Sequence, residues 1–178
     1  MAAWYFAYGS NMATATFRGR RGIEFLRALP ARVGGWRLVL DKPPLVTGGG
    51  ASANIVADAS AAVLGVLYEI SEADLAHLDL TEGVLIGNYD RIAIPVSLLA
   101  SPGDSIEAFT LVSERRDATL LPSHRYMAHL IAGAEEHGLP PEYVAFLRGV
   151  PAVPESEAEK RFRSVVDAAL RKPSGDER

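Results

Sequence analysis

The segment Val63-Leu64-Gly65-Val66-Leu67-Tyr68 is almost continuously apolar, which is typical of a central strand buried on both faces. Further strands are predicted over residues 4–8, 36–40, 53–57, 89–99 and 106–112. From Ser123 onward the spacing of apolar residues becomes helical. Because strands fill the first two-thirds of the chain and helices the last third, the sequence predicts an α+β fold. Its mostly antiparallel sheet closes on itself or is packed by helices.

The chain has 178 residues, enough for one domain with a substantial core, and no linker or internal repeat divides it. We therefore predict a single domain over residues 1–178, with a helical part over about 123–171 and a flexible tail over 172–178. The net charge of −4 lacks the basic footprint of a nucleic-acid-binding protein. Short runs of arginine are expected on solvated surface, namely Arg18, Arg20, Arg21, Arg115 and Arg116.

Two features of the sequence bear on location. No apolar stretch approaches the roughly 20 residues that are needed to cross a bilayer. The N-terminus runs directly into a strand-like segment and lacks the basic region of a signal peptide. The sequence therefore predicts a cytoplasmic protein that does not act at a membrane.

Several common catalytic constellations are absent from the sequence. With no cysteine, the chain has no disulfides, thiolate nucleophiles or cysteine-ligated metal sites. The run Gly48-Gly49-Gly50 is not followed by the Gly-Lys-Ser/Thr of a P-loop, and no Gly-x-Ser-x-Gly elbow occurs. His124 and His129 are five positions apart, which misses the spacing that puts two ligands on one helical face. We predict no metal site.

The turn Tyr8-Gly9-Ser10-Asn11 follows an aromatic strand and is a candidate binding site. If a helix begins there, with Ser10 or Asn11 as the N-cap of a helix over 12–17, its unpaired N–H groups would suit an anion such as a carboxylate. The alternative is that glycine, serine and asparagine are simply ordinary turn residues.

Glu82 is the candidate for proton transfer. A helix is predicted to begin after Ser71, with Asp74 in its first turn, and to end at Gly83. Glu82 shares a helical face with Leu75 and Leu78, so its carboxyl should be partly desolvated, and it lies where the helix dipole disfavours negative charge. Both effects favour the protonated form, and the carboxyl could then exchange protons near neutral pH. The alternative is that the helix ends one turn earlier and Glu82 points into water.

These segments together resemble the γ-glutamylcyclotransferase superfamily. Its signature is similar to Tyr8-Gly9-Ser10-Asn11-Met12 and, further along, to Gly65–Glu69 and Leu78–Val84 with Tyr89 downstream. Residues 122–126 and 133–143 are similar to the C-terminal helices of the γ-glutamylcyclotransferase branch. The resemblance covers roughly residues 4–147. It implies a small mixed, mostly antiparallel, barrel-like sheet flanked by helices.

The resemblance also implies an activity. A γ-glutamyl group would cyclise to 5-oxoproline and release the attached amino acid or amine, a lyase-type reaction that is linked to glutathione metabolism and needs no cofactor. Glu82 would be the general acid/base and the substrate-binding residues would be Tyr8, Gly9, Ser10, Asn11, Met12, Tyr89 and Tyr126. The implied partner is a small γ-glutamyl compound, with no nucleic acid and with a homodimer as one assembly. The alternative is a non-catalytic member that binds a small ligand or a protein partner.

Overall fold

Five strands close into a barrel in the computed structural model, which describes residues 2–45 and 47–170, and only the backbone of residues 166–170. The strands are β1 (Ala2–Ala7), β2 (Phe25–Lys42), β3 (Ser52–Ser71), β4 (Asp90–Leu98) and β5 (Ser101–Val112). Their order is β1-β3-β2-β4-β5, and every pairing is antiparallel except that of β1 with β5. The predicted mixed, mostly antiparallel, barrel-like sheet is confirmed. The predicted flexible tail lies outside the described residues.

The helices flank this barrel, as predicted. They are α1 (Glu72–Glu82), α2 (His124–Glu136), α3 (Pro141–Arg148) and α4 (Glu157–Leu170). Short helical turns cover Ser10–Met12, Ala15–Arg20 and Val84–Ile86. Within the described part of the chain, no helix combines the length and the apolar character that a membrane span requires.

The apolar segment that predicted a central strand lies in β3, which pairs with β1 on one side and β2 on the other. Val63, Val66, Leu67 and Tyr68 are fully buried there, as continuous apolar character requires. The prediction of two separate strands upstream of Ser71 is wrong, since β3 runs unbroken over Ser52–Ser71. Residues 58–61 carry no strand signal because they lie at a register shift between the Trp36–Ala57 and Gly34–Ala62 pairs, where their side chains are largely exposed.

The predicted boundaries of α1 are confirmed. Ser71 Oγ accepts a hydrogen bond from the Asp74 N–H at 3.0 Å, which satisfies one of the free donors of the first turn. Gly83 ends the helix with φ of 73°, a left-handed conformation that glycine adopts without a steric penalty. Leu75 and Leu78 are buried, so the face that also carries Glu82 is directed at the barrel.

The predicted helix over residues 12–17 is wrong. Ser10–Met12 forms a single 3-10 turn whose N-cap is Gly9, with no side-chain cap, and a π-helix covers Ala15–Arg20. The Asn11 amide is hydrogen-bonded to Arg21 and Glu82, so it does not cap a helix. Long-range side-chain contacts have overridden the local capping preference that suggested the prediction.

Helix α2 packs directly against the Ser10–Met12 turn. A Cβ placed on Gly133 would lie 2.5 Å from Ala13 N and 2.6 Å from the Met12 carbonyl carbon, distances that real side chains do not adopt. Glycine at this position allows the helix to approach the backbone of the turn directly. The Tyr68 hydroxyl donates to the Met12 carbonyl at 2.7 Å, so the turn is also tied to the central strand.

Candidate active site

A cavity of about 960 Å³ opens at one end of the barrel. Its walls come from residues after the end of β1, at the ends of β2 and β5, and at or next to the starts of β3 and β4. The start of α2 and the first turns of α4 complete the rim. This volume lies at the upper end of the range for small-molecule sites.

The cavity brings together most of the residues that the sequence predicted. Seven of them line it, namely Tyr8, Gly9, Ser10, Asn11, Glu82, Tyr89 and Tyr126. Met12, the eighth, does not: its side chain is fully buried in the core below the turn. Met12 therefore supports the turn from within the core and is not part of the cavity wall.

Glu82 belongs to a closed triangle of polar side chains. Asn11 Nδ2 donates to Glu82 Oε1 at 2.7 Å, and the Arg21 guanidinium lies 2.8 Å from the same oxygen. Arg21 Nε donates to Asn11 Oδ1 at 2.7 Å, which closes the triangle. Only one orientation of the Asn11 amide fits, because arginine can only donate and a carboxylate only accepts.

The two oxygens of the Glu82 carboxylate differ. Oε1 takes both contacts of the triangle, whereas no hydrogen bond to Oε2 is formed by the described residues. Oε2 is also not among the sealed-off, unpartnered polar atoms of that part of the chain. The Glu82 side chain is 11% exposed, so the carboxylate faces the cavity with one oxygen fixed and the other accessible.

Arg21 is a site residue that the sequence argument missed. Its run of arginines was expected on solvated surface, but the Arg21 side chain is only 16% exposed. It follows the π-helix directly and donates to the Thr81 carbonyl at 3.3 Å as well. The ion pair of Arg21 with Glu82 was not part of the prediction, which considered only burial and the helix dipole.

Four tyrosines surround the carboxylate. Burial raises the pKa values of all four (Tyr5, Tyr8, Tyr89 and Tyr126), and that of Tyr126 reaches about 12. The negative charge of Glu82 acts in the same direction on each of them. All four hydroxyls are therefore protonated at neutral pH and can donate hydrogen bonds.

Three of these hydroxyls have protein partners. The Tyr5 hydroxyl accepts from Asn11 Nδ2 at 3.3 Å. Tyr8 donates to the Leu111 carbonyl of β5. Tyr126 accepts from the Ala53 N–H of β3 at 2.8 Å, which joins α2 to the barrel at the cavity wall. The Ala53 contact therefore holds Tyr126 in place without using the proton of its hydroxyl.

Asn88 connects Glu82 to two cations, and the sequence did not predict it as a site residue. Its Nδ2 donates to the main-chain carbonyl of Glu82 at 2.8 Å. Its Oδ1 accepts from Lys42 Nζ at 2.8 Å and from Arg115 Nη1 at 2.7 Å. Arg115 was expected on solvated surface but is half-buried in this cluster. No sequence pattern indicated this cluster, since Lys42, Asn88 and Arg115 come from three distant segments of the chain.

Across residues 2–45 and 47–170, no three histidine, aspartate or glutamate side chains are grouped so as to hold a metal ion. The arrangement is a cavity with one accessible carboxylate oxygen, several phenol donors and a cationic cluster. Such a set can bind an anionic small molecule and transfer a proton to or from it.

Comparisons with known proteins agree with this geometry. A model described as the AIG2-like family matches residues 62–147. The γ-glutamylcyclotransferases of Bos taurus and Homo sapiens are each 29% identical over 149 residues, which cover 82% of this chain and 77% of each relative. A solved structure named γ-glutamyl cyclotransferase has a TM-score of 0.78 and 24% identity, covering 94% of this chain and 99% of its own. At that identity the likeness shows the fold.

These findings support a relationship of the chain to the γ-glutamylcyclotransferase (AIG2-like) superfamily. Within the superfamily match, residues 62–147 contain Glu82, Tyr89 and Tyr126. The Tyr8–Met12 turn lies before the matched range, although the structural likeness extends over nearly the whole chain. The catalytic and binding roles of these residues in this chain are predictions.

Proposed function

We propose that this protein cyclises the γ-glutamyl group of a γ-glutamyl amino acid or amine to 5-oxoproline. The attached amino acid or amine is released. One observation carries the proposal: the Glu82 carboxylate faces the cavity while hydrogen-bonded, at 2.7 Å, to Asn11 of the turn predicted to bind substrate. The names of the bovine and human relatives support the same class of activity.

The reaction is intramolecular. The α-amine nitrogen of the glutamyl group attacks its own γ-carbonyl carbon, a C–N bond forms within a five-membered ring, and the original amide C–N bond breaks. Nucleophile and electrophile are already tethered, so holding the chain in a bent conformation supplies much of the rate enhancement. Protons lost by the α-ammonium equal those gained by the departing amine, and neither water nor an oxidant enters.

Glu82 moves these protons. The α-ammonium cannot attack until a base takes its proton, and the departing nitrogen must receive a proton before its bond to carbon breaks. Oε2 is the oxygen suited to both transfers, because Oε1 is occupied by Asn11 and Arg21. Arg21 acts as a positioning residue: it fixes the carboxylate and the Asn11 amide through a fork of donors.

The Tyr8–Asn11 turn holds the glutamyl group. Donors in this region, including backbone N–H groups and the phenols of the cavity, are suited to the α-carboxylate and to negative charge that develops on the γ-carbonyl oxygen. Tyr89 and Tyr126 line the other walls and restrict the conformation of the substrate. The homodimer stays a prediction.

The test is release of 5-oxoproline from a panel of γ-glutamyl amino acids and γ-glutamylamines, measured by mass spectrometry. Wild-type protein should form 5-oxoproline from at least one compound. Glu82→Gln keeps the size of the side chain and its contact with Arg21 but removes the base. It should lower kcat by roughly 10²- to 10⁴-fold.

Glu72→Gln is the matched control, because it makes the same change on the same helix at an exposed position. It should leave turnover unchanged. A folded Glu82→Gln protein with wild-type turnover would contradict the role of Glu82. If wild-type protein binds panel compounds but forms no 5-oxoproline from them, the proposed enzymatic activity is contradicted and the non-catalytic alternative is favoured.

A further inference from the structure

Lys42 is an unusual residue for a cavity wall. It ends strand β2, is only 3% exposed and still lines the cavity. Its ammonium donates to Asn88 Oδ1 at 2.8 Å and to the Pro43 carbonyl at 3.3 Å, and lies 4.3 Å from the centre of the Tyr89 ring. All three partners are neutral.

A second cation shares the same acceptor. Arg115 donates to Asn88 Oδ1 at 2.7 Å and to the Pro44 carbonyl at 3.1 Å. In the described ranges, no carboxylate lies within ion-pairing distance of Lys42 or Arg115. Two positive charges therefore converge on one amide oxygen without a counterion.

Other cations of the cavity differ in this respect. Arg21 is paired with Glu82 at 2.8 Å. Arg125 and Arg163 lie 3.7 Å and 3.1 Å from oxygens of Glu155. Burying a charge without a counterion is costly, and a structural lysine would ordinarily be replaced there by an apolar residue of similar length. An anion bound from the cavity would offset this cost.

The position of Lys42 relative to Glu82 limits which anion this is. Asn11, in the turn assigned to the glutamyl group, contacts the Glu82 carboxylate. Asn88 instead donates to the Glu82 main-chain carbonyl and accepts a hydrogen bond from Lys42 at its amide oxygen. The turn and Lys42 thus approach Glu82 through different atoms. With the scissile amide at Oε2 and the glutamyl part at the turn, a leaving group that extends to the Asn88 side of the cavity would meet Lys42.

We propose that Lys42 binds the carboxylate of the departing amino acid, which makes this protein selective for γ-glutamyl amino acids over γ-glutamylamines. The inference rests on the proposed cyclisation and adds the class of leaving group. A γ-glutamyl amino acid carries a second carboxylate close to the scissile nitrogen, and a γ-glutamylamine carries none. The ammonium of Lys42 and the guanidinium of Arg115 supply the opposite charge.

The charges around Lys42 agree with this assignment. Burial and the neighbouring charge of Arg115 together lower the pKa of Lys42 to about 8, although the carboxylate of Glu82 on α1 opposes them. Tyr89, from the segment before β4, faces the ammonium of Lys42. Asp41, which precedes Lys42 on β2, forms an ion pair with Arg116. Lysine with this pKa is mostly protonated at pH 7, and a bound carboxylate would favour the charged form further.

The test compares two substrates that differ only in the carboxylate, γ-glutamylalanine and γ-glutamylethylamine. Wild-type protein should prefer the dipeptide in kcat/KM. Lys42→Met keeps roughly the length of the side chain but removes its charge and its ammonium contacts with Asn88 and Tyr89. It should lower kcat/KM for the dipeptide roughly 10- to 100-fold, chiefly through KM, because one charged contact is lost. The value for the ethylamine should change less than about threefold.

Lys160→Met is the control, since it removes an exposed lysine of α4. Equal losses on both substrates would assign Lys42 to the shared glutamyl group and overturn the proposal, as would no loss on either. Wild-type protein gives a second measure without any variant. The ratio of kcat/KM for the dipeptide to that for the ethylamine should fall as pH rises through about 8. A constant ratio would also overturn it.

Failure of the proposed function would look different. If wild-type protein forms no 5-oxoproline from either compound, cyclisation is refuted, and calorimetric titration with the same two compounds then tests Lys42 alone. Tighter binding of the dipeptide that is lost in Lys42→Met supports the carboxylate subsite. Equal binding of both compounds, or binding of neither, overturns it.

Discussion

The Arg21 guanidinium lies 2.8 Å from Glu82 Oε1 and donates through Nε to Asn11 Oδ1 at 2.7 Å. The cation therefore controls two polar side chains of the cavity at once. A third donor reaches the Thr81 carbonyl at the end of α1. This arrangement fixes the carboxylate without occupying Oε2.

Arg21→Lys should lower kcat roughly 10- to 100-fold with a smaller change in KM. Lysine keeps the positive charge but cannot hold Asn11, Glu82 and the Thr81 carbonyl with one planar fork. Steady-state kinetics of 5-oxoproline release would measure both constants. A rise in KM with unchanged kcat would mean that Arg21 binds substrate and does not position Glu82.

Arg27→Lys is the matched control for that variant. Arg27 forms an ion pair with Glu69 at 2.5 Å, but its side chain is 58% exposed and lies away from the cavity. Exposed ion pairs contribute little to stability and this one touches no site residue. Both kinetic constants should therefore match those of the wild type.

Gly133→Ala should destabilise the protein by about 1–3 kcal/mol, because the new methyl group would overlap the backbone of Met12 and Ala13. Relief of the overlap requires α2 to move away from the Tyr8–Met12 turn, so KM should rise as well. Urea denaturation and steady-state kinetics would measure the two effects. Lower stability with unchanged KM would contradict the link between α2 and the turn.

Gly103→Ala provides the comparison for that experiment. A Cβ at Gly103 would meet no atom within 4 Å, and the residue is exposed on β5. Its backbone φ is not in the positive range that favours glycine. This variant should unfold at the same urea concentration as the wild type, within about 0.5 kcal/mol.

Tyr126→Phe should cost about 1–3 kcal/mol of stability, because the Ala53 N–H loses its 2.8 Å acceptor at a partly buried position. The variant also removes a phenol from the cavity wall, so kcat/KM should fall about tenfold. Since the pKa of Tyr126 is about 12, neither effect should depend on pH below about 10. Unchanged stability would contradict the importance of the Ala53 contact.

Local signals predicted a large part of this fold. The serine cap of α1, the left-handed Gly83 and the buried run in β3 each follow from short-range stereochemistry or burial, and all three are present. The position of Glu82 on the barrel-facing side of α1 followed from helical periodicity. The unbroken length of β3 did not, because its exposed middle residues carry no strand signal.

Local signals did not predict the polar contacts of the cavity. Arg21 directly follows a π-helix and pairs with Glu82, and the short sequence before it gives no sign of that geometry. Lys42 and Arg115 meet at Asn88 from segments that become neighbours only when the barrel closes. One sequence does not encode such long-range pairings in any local pattern.

Lys42→Met should make the protein more stable relative to wild type at neutral pH, with a difference that shrinks as pH rises from about 8 toward 10.5. The pKa of Lys42 is about 8 in the folded protein and 10.5 in an ordinary exposed lysine. Below pH 8 both states hold the proton, so the folded protein carries the full cost of the buried charge. Between these values the folded state has released the proton while the unfolded chain retains it, and wild-type stability therefore rises.

Urea unfolding of wild type and Lys42→Met between pH 7 and 10 measures this difference. The lost contacts with Asn88 and Tyr89 shift the variant by a constant amount, so the change with pH is the informative quantity. Buried tyrosines titrate equally in both proteins and cancel. Lys160→Met should show no such change, because its pKa is raised by Glu157. A difference that stays constant from pH 7 to 10 would contradict a buried, unneutralised ammonium at Lys42.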